Sequence, residues 1–360
     1  MSVLTDIIKA EIAGSGAIPF ARFMELALYC PDYGYYETEN VTVGRHGDFY
    51  TSVSVGSLLG ELLASQFASW LEELPPGKLQ IVEAAAHDGK LALDILRWLE
   101  RNRPSVFERI EYVILEPSAR RRAWQEKTLA EFSGAVHWLS VEKLDSTETI
   151  CGVIFANELL DAMPVHRLGW DAQRRAWFEW GVAWEVEKFV WVKIGKSVET
   201  ANLNLLPIEL LAVLPDGFTT EICPAAQEWW CSAARALKGG RLMTLDYGFQ
   251  NEAGLSPNHP NGTLRAYHRH KVSDDVLTRP GEQDITAHVE FHSIQSAGES
   301  AGLKTETFVS QSSFLTRIAS EMMKAEAHSQ MWTPQKSREL QTLIHPEHLG
   351  WAFNVLLQMR

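Results

Sequence analysis

The sequence has few cysteines, no long apolar run and no recognisable leader, and each of these features excludes a class of protein. Its four cysteines include no Cys-x-x-Cys pair, so a zinc ribbon is not expected and a reducing compartment is favoured. No apolar run approaches the roughly 18–20 residues that are needed to cross a bilayer. Residues 1–13 lack a long apolar core and an Arg-rich leader, which argues against a signal peptide or a mitochondrial presequence. We therefore expect a cytoplasmic protein, most simply one of the bacterial cytosol.

Positive charge is also scarce, with 33 Lys and Arg residues against 46 Asp and Glu residues and a formal net charge of -13. Such an acidic surface argues against a nucleic-acid or membrane-surface partner, because such partners favour a basic patch, and the lack of a long apolar run argues against membrane insertion. It is compatible with a basic protein substrate. The 360 residues, 46% hydrophobic and 22% charged, are enough for one large domain with insertions or for two smaller domains.

From Leu79 onward, short apolar runs alternate with segments of helical period. This alternation is typical of a doubly wound α/β fold, in which the parallel strands are buried on both faces. The predicted strands cover residues 79–83, 110–116, 136–139, 151–156 and 240–246, and the predicted helices cover residues 90–100, 119–132 and 225–237.

These patterns divide the chain into four expected parts. They are a helical N-terminal part that completes the cleft (1–75), the first part of the α/β core (76–170), an inserted aromatic ribbon and helix (171–220), and the second part of the core (221–360) with a long loop (251–280). Residues 170–192 alternate aromatic and polar side chains, as an antiparallel ribbon does. The aromatic residues are interpreted as cross-strand packing partners rather than as a platform for a peptide.

Polar residues stand where the predicted parallel strands end. Glu83 closes the first strand, Glu116 the second, and Asn157 and Glu158 the fourth. Ligands of open α/β sheets bind outside these carboxyl ends. Glu116 suits a ribose diol, because a carboxylate accepts hydrogen bonds from both hydroxyls, and the turn that ends at Gly89 offers the free N–H groups of a helix start. The spacing alone leaves two interpretations equal: an adenosyl-type cofactor site, or acidic strand ends without a ligand.

The first turn distinguishes two cofactor classes. An NAD site needs Gly-x-Gly-x-x-Gly after the first strand, whereas residues 84–89 read Ala-Ala-Ala-His-Asp-Gly. Glu83 and Asp88 would also repel a pyrophosphate. S-adenosylmethionine has no phosphate and carries a cationic sulfonium and an ammonium group, so acidic residues suit it better.

Short strings occur in a fixed order along nearly the whole chain, at Tyr33–Tyr36, Gly47–Ser52, Gly60–Leu63, Ala156–His166, Leu245–Gly248, Gly262–Tyr267 and Asp284–Val289. Together they resemble the MidA-type methyltransferases, a family that includes the mitochondrial complex I assembly factor that methylates arginine on a complex I subunit. The resemblance implies a Rossmann-like class I methyltransferase core with a helical N-terminal part and an inserted antiparallel and loop region for the substrate. It implies S-adenosylmethionine at the first strand. The cofactor-site residues that we expect are Glu83, Ala85, His87, Gly89, Glu116, Asn157, Thr51 and Ser52.

The chain departs from the family pattern in two turns. Ala85, Ala86 and His87 stand where the family's first turn has Gly-Pro-Gly, and residues 51–54 read Thr-Ser-Val-Ser instead of Thr-Ser-Pro-Glu. Alanine fits the first turn unless the backbone there needs a positive φ. His87 is bulkier than glycine and is expected either to crowd the ligand or to contact it. Ala85 and His87 therefore decide how tightly the cofactor binds.

Methyl transfer is an in-line displacement in which the enzyme mainly aligns the nucleophile, and it needs no metal. An arginine acceptor must be oriented by carboxylates. Glu158 and Asp161 are the first candidates for this acidic clamp, and Asp48 and Asp246 are the second. An equally weighted interpretation is that Glu158 only holds the cofactor and that Asp161 caps the next segment.

His288, Glu290 and His292 alternate as they would on one side of a strand, but the sequence has no clear second cluster of ligands, so we expect no metal site.

Three functions remain open at this point. The first is an active protein arginine methyltransferase that acts on a respiratory-complex subunit or a bacterial equivalent. The second is a cofactor- or partner-binding assembly protein with little catalysis, which the altered first turn favours. The third is a small-molecule methyltransferase, because specificity lies in loops.

Overall fold

The computed structural model describes residues 2–38, 52–140, 144, 150–195, 208–250, 259–269, 271–325, 332–345, 350 and 353–360. Contacts group the chain into two compact units. The first comprises Met1–Phe49, Asp161–Ala226 and Phe249–Glu290, and the second comprises Tyr50–Leu160, Gln227–Gly248 and Phe291–Arg360. These bounds differ from the four parts expected from the sequence, and that four-part organisation stays a prediction.

The helices and strands follow one another along the chain as the sequence pattern suggests. The helices are α1 (Val3–Ser15), α2 (Phe20–Tyr29), α3 (Leu58–Glu72), α4 (Lys90–Asn102), α5 (Pro104–Phe107), α6 (Ala119–Thr128), α7 (Ile208–Val213), α8 (Pro224–Ala236), α9 (Phe291–Ser300), α10 (Gln311–Ala325) and α11 (Pro334–Ile344). The strands are β1 (Ile18–Pro19), β2 (Leu79–Ala84), β3 (Ile110–Leu115), β4 (Val136–Leu139), β5 (Ile150–Asn157), β6 (His166–Asp171), β7 (Ala176–Glu185), β8 (Lys188–Ile194), β9 (Thr219–Ile222), β10 (Leu237–Phe249), β11 (Arg265–His268), β12 (Lys271–Ser273), β13 (Asp284–Thr286), β14 (Val289–Glu290), β15 (Lys304–Ser310) and β16 (Phe353–Met359). Short 3₁₀ turns occur at Tyr35–Glu37, Ser52–Val55 and Ala130–Phe132.

The sheet of the second unit runs in the order β4-β3-β2-β5-β10-β16-β15. The strands from β4 to β10 pair in parallel, and β16 is antiparallel to both of its neighbours. The chain therefore adds strands in one direction from β2 to β4 and then returns to place β5 on the other side of β2. This arrangement confirms the predicted doubly wound α/β sheet, and it places the switch point, where ligands bind in such sheets, at the carboxyl ends of β2 and β5.

Apolar side chains on the helices explain why they cover this sheet. The inner face of α4 buries Leu91, Ile95 and Leu99 against α3 and the sheet, and the burial of each such side chain contributes roughly 1.5–3 kcal/mol. Gly60 in α3 lies so close to α4 that a Cβ atom there would stand 2.5 Å from the Cβ of Asp94. The Gly60–Leu63 string thus serves a close crossing of two helices.

The first unit contains an antiparallel sheet in the order β1-β7-β6-β9, with β8 on β7, and a small antiparallel sheet in the order β12-β11-β13. The predicted aromatic ribbon is confirmed as β6 to β8. Aromatic rings of the ribbon pack across neighbouring strands, with centroids 5.2 Å apart for Trp170 and Trp177 and 4.8 Å apart for Trp184 and Phe189. These rings stabilise the sheet as cross-strand pairs.

The expectation of a structureless loop at residues 251–280 is wrong for its second half. β11 and β12 form a hairpin there, and β11 also pairs with β13. Strands of three or four residues are too short to show a period of two, so the Asn- and Pro-rich composition dominated the prediction. Residues 251–258 lie outside the described residues. No helix in the described ranges is both long enough and apolar enough to cross a membrane.

The close packing of β5 on β2 depends on Gly152, whose φ of 151° is rare for residues with a side chain. A Cβ atom there would lie 1.9 Å from the backbone carbonyl oxygen of Gln80. We expect Gly152→Ala to lower the free energy of unfolding by about 3 kcal/mol or more, because the strands must separate. Urea unfolding followed by circular dichroism measures this change.

Gly239 on β10 provides the matched control for that variant. A Cβ atom at Gly239 meets only the Sγ atom of Cys151, at 3.9 Å. Gly239→Ala should therefore change the free energy of unfolding by less than about 1 kcal/mol. Equal losses in the two variants would contradict a special role of Gly152.

Candidate functional site

The second unit carries Glu83 at the end of β2, where 2% of the residue is exposed. Its carboxyl accepts a hydrogen bond from the hydroxyl of Tyr112 on β3. Burial raises the pKa of Glu83 to about 8, the hydrogen bond from Tyr112 opposes the rise, and the charge of Asp88 adds to it. Glu83 is therefore largely neutral at pH 7 without a ligand, and a cation placed beside it would favour its charged form.

The turn that follows β2 has a left-handed backbone at three alternate positions. The φ angles are 62° at Ala85, 46° at His87 and 83° at Gly89. A side chain in this region costs roughly 1–2 kcal/mol per residue. Alanine was expected to fit this turn unless the backbone needs a positive φ, and the backbone does need one at Ala85. The chain therefore keeps the backbone shape of a glycine turn although two of the family's glycines are replaced. The turn closes with a hydrogen bond from the Gly89 N–H to the Ala86 carbonyl, at 2.7 Å.

Glu116 follows β3 and is held by residues of the segment that begins α6. One carboxylate oxygen accepts the N–H of Ser118 at 2.9 Å and lies 3.4 Å from Nε of Arg121. The other oxygen accepts Nε2 of Gln125 at 2.9 Å. The Glu116 side chain has no exposed surface. These donors hold the Glu116 carboxylate in place beyond the carboxyl end of β3.

Asn157 ends β5, and Glu158 follows it in a strained backbone conformation. The φ of Glu158 is 54°, and its Oε1 accepts hydrogen bonds from the N–H of Ser52 and from Nδ2 of Asn157, both at 3.1 Å. The Oδ1 atom of Asn157 is buried and has no hydrogen-bond partner among the described residues. A buried acceptor without a donor is costly, and an amide oxygen at a switch point fits a ligand that donates a hydrogen bond.

Asp246 shapes the turn beyond Glu158. One of its carboxylate oxygens accepts the N–H groups of Leu159 and Leu160, at 3.2 and 2.8 Å, and the other accepts the N–H of Tyr247. Asp246 was a second candidate for the acidic clamp. Its contacts instead explain how the backbone around Glu158 is held in a sparsely populated conformation.

The segment that begins at Ser52 is fixed to the same part of the second unit. The Ser52 side chain is fully buried and hydrogen-bonds Gln311, at 3.3 Å. Lys90, at the start of α4, donates to the carbonyls of Val53 and Gly56 at 3.2 and 3.4 Å. Two other predicted site residues, Thr51 and Asp48, lie outside the described residues.

Asp161, the other candidate for the clamp, belongs to the first unit. Its carbonyl accepts the N–H of Ala287 at 2.9 Å. The hydroxyl of Tyr36 donates to Asp284 at 2.7 Å. The pKa of Tyr36 is raised chiefly by burial, and the charges of Asp284 and Asp161 add to the rise. Asp161 thus lies in an acidic neighbourhood of its own unit.

Sequence reasoning missed two residues that organise the site, Tyr112 and Gln125. A tyrosine within an apolar strand signals a buried hydroxyl that needs a partner, and this could have paired Tyr112 with Glu83. Nothing in the sequence around Gln125 marks it, because it stands among other polar residues of α6.

His288, Glu290 and His292 do not alternate along a strand. β14 ends at Glu290 and α9 begins at Phe291, so His292 is helical. Burial lowers the pKa of His288 to about 4, with further contributions from His259 and Arg265. Within the described parts of the chain, no three His, Cys, Asp or Glu residues are grouped as metal ligands.

Comparisons with known proteins agree with this geometry. A family model described as "Putative S-adenosyl-L-methionine-dependent methyltransferase" matches residues 62–309. A protein of Burkholderia thailandensis, whose crystal structure contains S-adenosyl-homocysteine, is 32% identical, with a TM-score of 0.84 over 99% of this chain and 92% of that chain. A second crystal structure, the native structure of an uncharacterised protein of Burkholderia thailandensis, is 31% identical, with a TM-score of 0.82 over 99% of this chain and 91% of that chain.

Curated relatives are similar over nearly the whole chain. "Protein arginine methyltransferase NDUFAF7 homolog, mitochondrial" of Drosophila melanogaster is 26% identical, over 98% of this chain and 84% of that protein. The human "Protein arginine methyltransferase NDUFAF7, mitochondrial" is 28% identical, over 96% of this chain and 80% of that protein.

The cytoplasmic location expected from the sequence is overturned by these mitochondrial relatives. Targeting segments are separable from the folded chain, so the composition of residues 1–13 was a poor basis for that expectation.

The strain at Ala85 and His87 leads to a stability prediction. Ala85→Gly and His87→Gly should each raise the free energy of unfolding by up to about 1 kcal/mol, because glycine adopts a positive φ without steric cost. Urea unfolding measures the change. Ala86→Gly is the control, since its φ is not positive and glycine there should destabilise by about 0.5–1 kcal/mol. A loss of stability in all three variants would show that the turn is not strained.

The raised pKa of Glu83 leads to a second prediction. The folded chain keeps a proton on Glu83 up to a pH of about 8, whereas the unfolded chain releases it near the ordinary pKa of 4.5. The contribution of Glu83 to stability is therefore complete below the lower value and is lost as the pH rises through the higher one. Glu83→Gln, which mimics the neutral acid, should flatten the fall in the free energy of unfolding across this range. Glu100→Gln, at an exposed position of α4, is the control, and an equal change of slope in the two variants would contradict the prediction.

Proposed function

Since this chain belongs to the family of S-adenosylmethionine-dependent methyltransferases, we propose that it transfers a methyl group from S-adenosylmethionine to an arginine side chain of a protein. Membership and the predicted Rossmann-like core are established by the family match and by the similar crystal structure. The observation that carries the proposal is the buried Oδ1 of Asn157, which has no hydrogen-bond partner among the described residues, at the switch point of the sheet and beside the glycine-shaped turn.

The residues at the ends of β2, β3 and β5 fit the chemistry of the cofactor. Asn157 offers an acceptor and Glu83 a carboxyl whose charge a cation would restore, and both suit a ligand with an ammonium group. Glu116 would accept the ribose hydroxyls, and the backbone from Ala85 to Gly89 would line the remainder of the site. The bound cofactor supplies an electrophilic methyl group.

The arginine acceptor is supported by the names of the curated relatives, which are protein arginine methyltransferases. Glu158 is the residue that we assign to orient the guanidinium, because a carboxylate pairs with its planar donors. A backbone N–H of Ser52 fixes its Oε1, which favours alignment over freedom of movement. By the resemblance, the protein substrate that we propose is a respiratory-complex subunit.

Glu158→Gln tests the clamp. We expect methyl transfer to fall at least about 100-fold, while the Kd for S-adenosylhomocysteine stays within about threefold, because the amide keeps an oxygen for the Ser52 N–H. Transfer is measured as labelled methyl incorporated into protein of a cell lysate, with the modified residue identified by mass spectrometry, and binding is measured by titration calorimetry. Glu126→Gln on the exposed face of α6 is the control.

Each other outcome of that experiment has a distinct meaning. Loss of S-adenosylhomocysteine binding in Glu158→Gln would place Glu158 in the cofactor site instead of the clamp. Label on a residue other than arginine would refute the acceptor. Binding by the wild-type chain without any transfer would favour the alternative function, a partner-binding assembly protein. If the wild-type chain does not bind S-adenosylhomocysteine at millimolar concentration, the proposed enzymatic function is refuted.

A further inference from the structure

Gln125 is a fully buried glutamine that joins two parts of the proposed cofactor site. Its Nε2 donates to the backbone carbonyl of His87 at 3.0 Å and to Glu116 at 2.9 Å. Its Oε1 accepts the indole N–H of Trp138 at 2.8 Å. Both N–H groups and the oxygen of the side chain are thus used, in the planar arrangement that only an amide offers.

The two acceptors that Nε2 contacts lie just beyond the point where β2 and β3 stop pairing. The paired register of β2 and β3 ends at Ala84 and Leu115. Beyond it, the backbone turns away into the strained 85–89 segment on one side and into Glu116 on the other. Gln125 is hydrogen-bonded to both segments after the ladder has ended, and it thereby fixes the distance from the turn to Glu116.

The position of α6 makes this link close and rigid. A Cβ atom on Gly89 would stand 3.4 Å from Cα of Gln125 and 3.3 Å from the Leu129 side chain, so the turn lies directly against the helix. The bond to the His87 carbonyl also orients a peptide group next to a residue with a φ of 46°. Such strain persists only where surrounding contacts over-determine the backbone.

We propose that Gln125 is a positioning residue for the cofactor: it holds the first turn and Glu116 at the spacing that one ligand needs in order to reach both. The inference rests on the proposed function, in which the ribose meets Glu116 and the rest of the cofactor lies along the turn. A ligand that spans two contacts binds tightly only when both are in place before it arrives.

Gln125→Glu is the deciding variant, because it has the same shape as glutamine but keeps at most one donor. Its carboxyl would be fully buried at hydrogen-bond distance from Glu116, so the two carboxyls share a proton and the bond to the His87 carbonyl is lost. We therefore expect the Kd for S-adenosylhomocysteine to rise about tenfold relative to the wild-type chain. The charged groups near this position are Glu116, Arg121 and, over the ring of Trp138, Arg122.

Trp138→Phe is the matched control, since it removes the bond to Oε1 and leaves both donors of Gln125 in place. It should lower the melting temperature but keep the wild-type Kd within about threefold. Gln125→Met, which removes all three bonds with a side chain of similar length, should bind at least as weakly as Gln125→Glu. Circular dichroism and thermal unfolding without ligand establish that each variant is folded at the temperature of the titration.

The results separate this inference from the proposed function. Wild-type affinity in folded Gln125→Glu would overturn the positioning role alone. An equal loss of S-adenosylhomocysteine affinity in Trp138→Phe and Gln125→Glu would also overturn it. Removing a contact that only stabilises the core would then weaken binding as much as removing the donors of Gln125. No binding of S-adenosylhomocysteine by the wild-type chain would overturn the proposed function and this inference with it.

Discussion

The side-by-side arrangement of β2 and β5 is the constraint on which the site depends. The chain reverses the direction in which it adds strands between these two, so two carboxyl ends meet without a helix crossing over them. Gly152 permits the strands to approach at backbone distance, since a Cβ atom there would strike Gln80. Glu83 and Asn157 lie at the same edge of the sheet because β2 and β5 pack side by side.

Strain at the site is held by contacts outside it. Ala85, His87 and Glu158 all have positive φ, which costs free energy for residues with side chains. Gln125 fixes the carbonyl of His87, and Asp246 accepts the N–H groups that follow Glu158. The two turns thus keep a backbone shape that their own residues disfavour, and the hydrogen bonds of Gln125 and Asp246 offset the free energy of this strain.

Two buried carboxyls of the site have opposite surroundings. Glu83 has the Tyr112 hydroxyl and the nearby charge of Asp88, so burial dominates and the neutral form is favoured. Glu116 receives a backbone N–H and an amide N–H and has the Arg121 guanidinium nearby, which are the contacts that a charged carboxylate needs. The two carboxyls therefore differ in the contacts that surround them, although both are buried.

The sequence by itself determined the parallel sheet, the positions of Glu83, Glu116 and Asn157 at strand ends, and the family, because burial on both faces of a strand and ordered strings are local patterns. It left open whether Ala85 and His87 could adopt a glycine turn, since backbone angles depend on what surrounds the turn. It misjudged the β11–β12 hairpin, whose strands are too short for a period. Only the tertiary structure brought Gln125 to His87 and Tyr112 to Glu83, because hydrogen bonds between distant segments depend on how the elements pack.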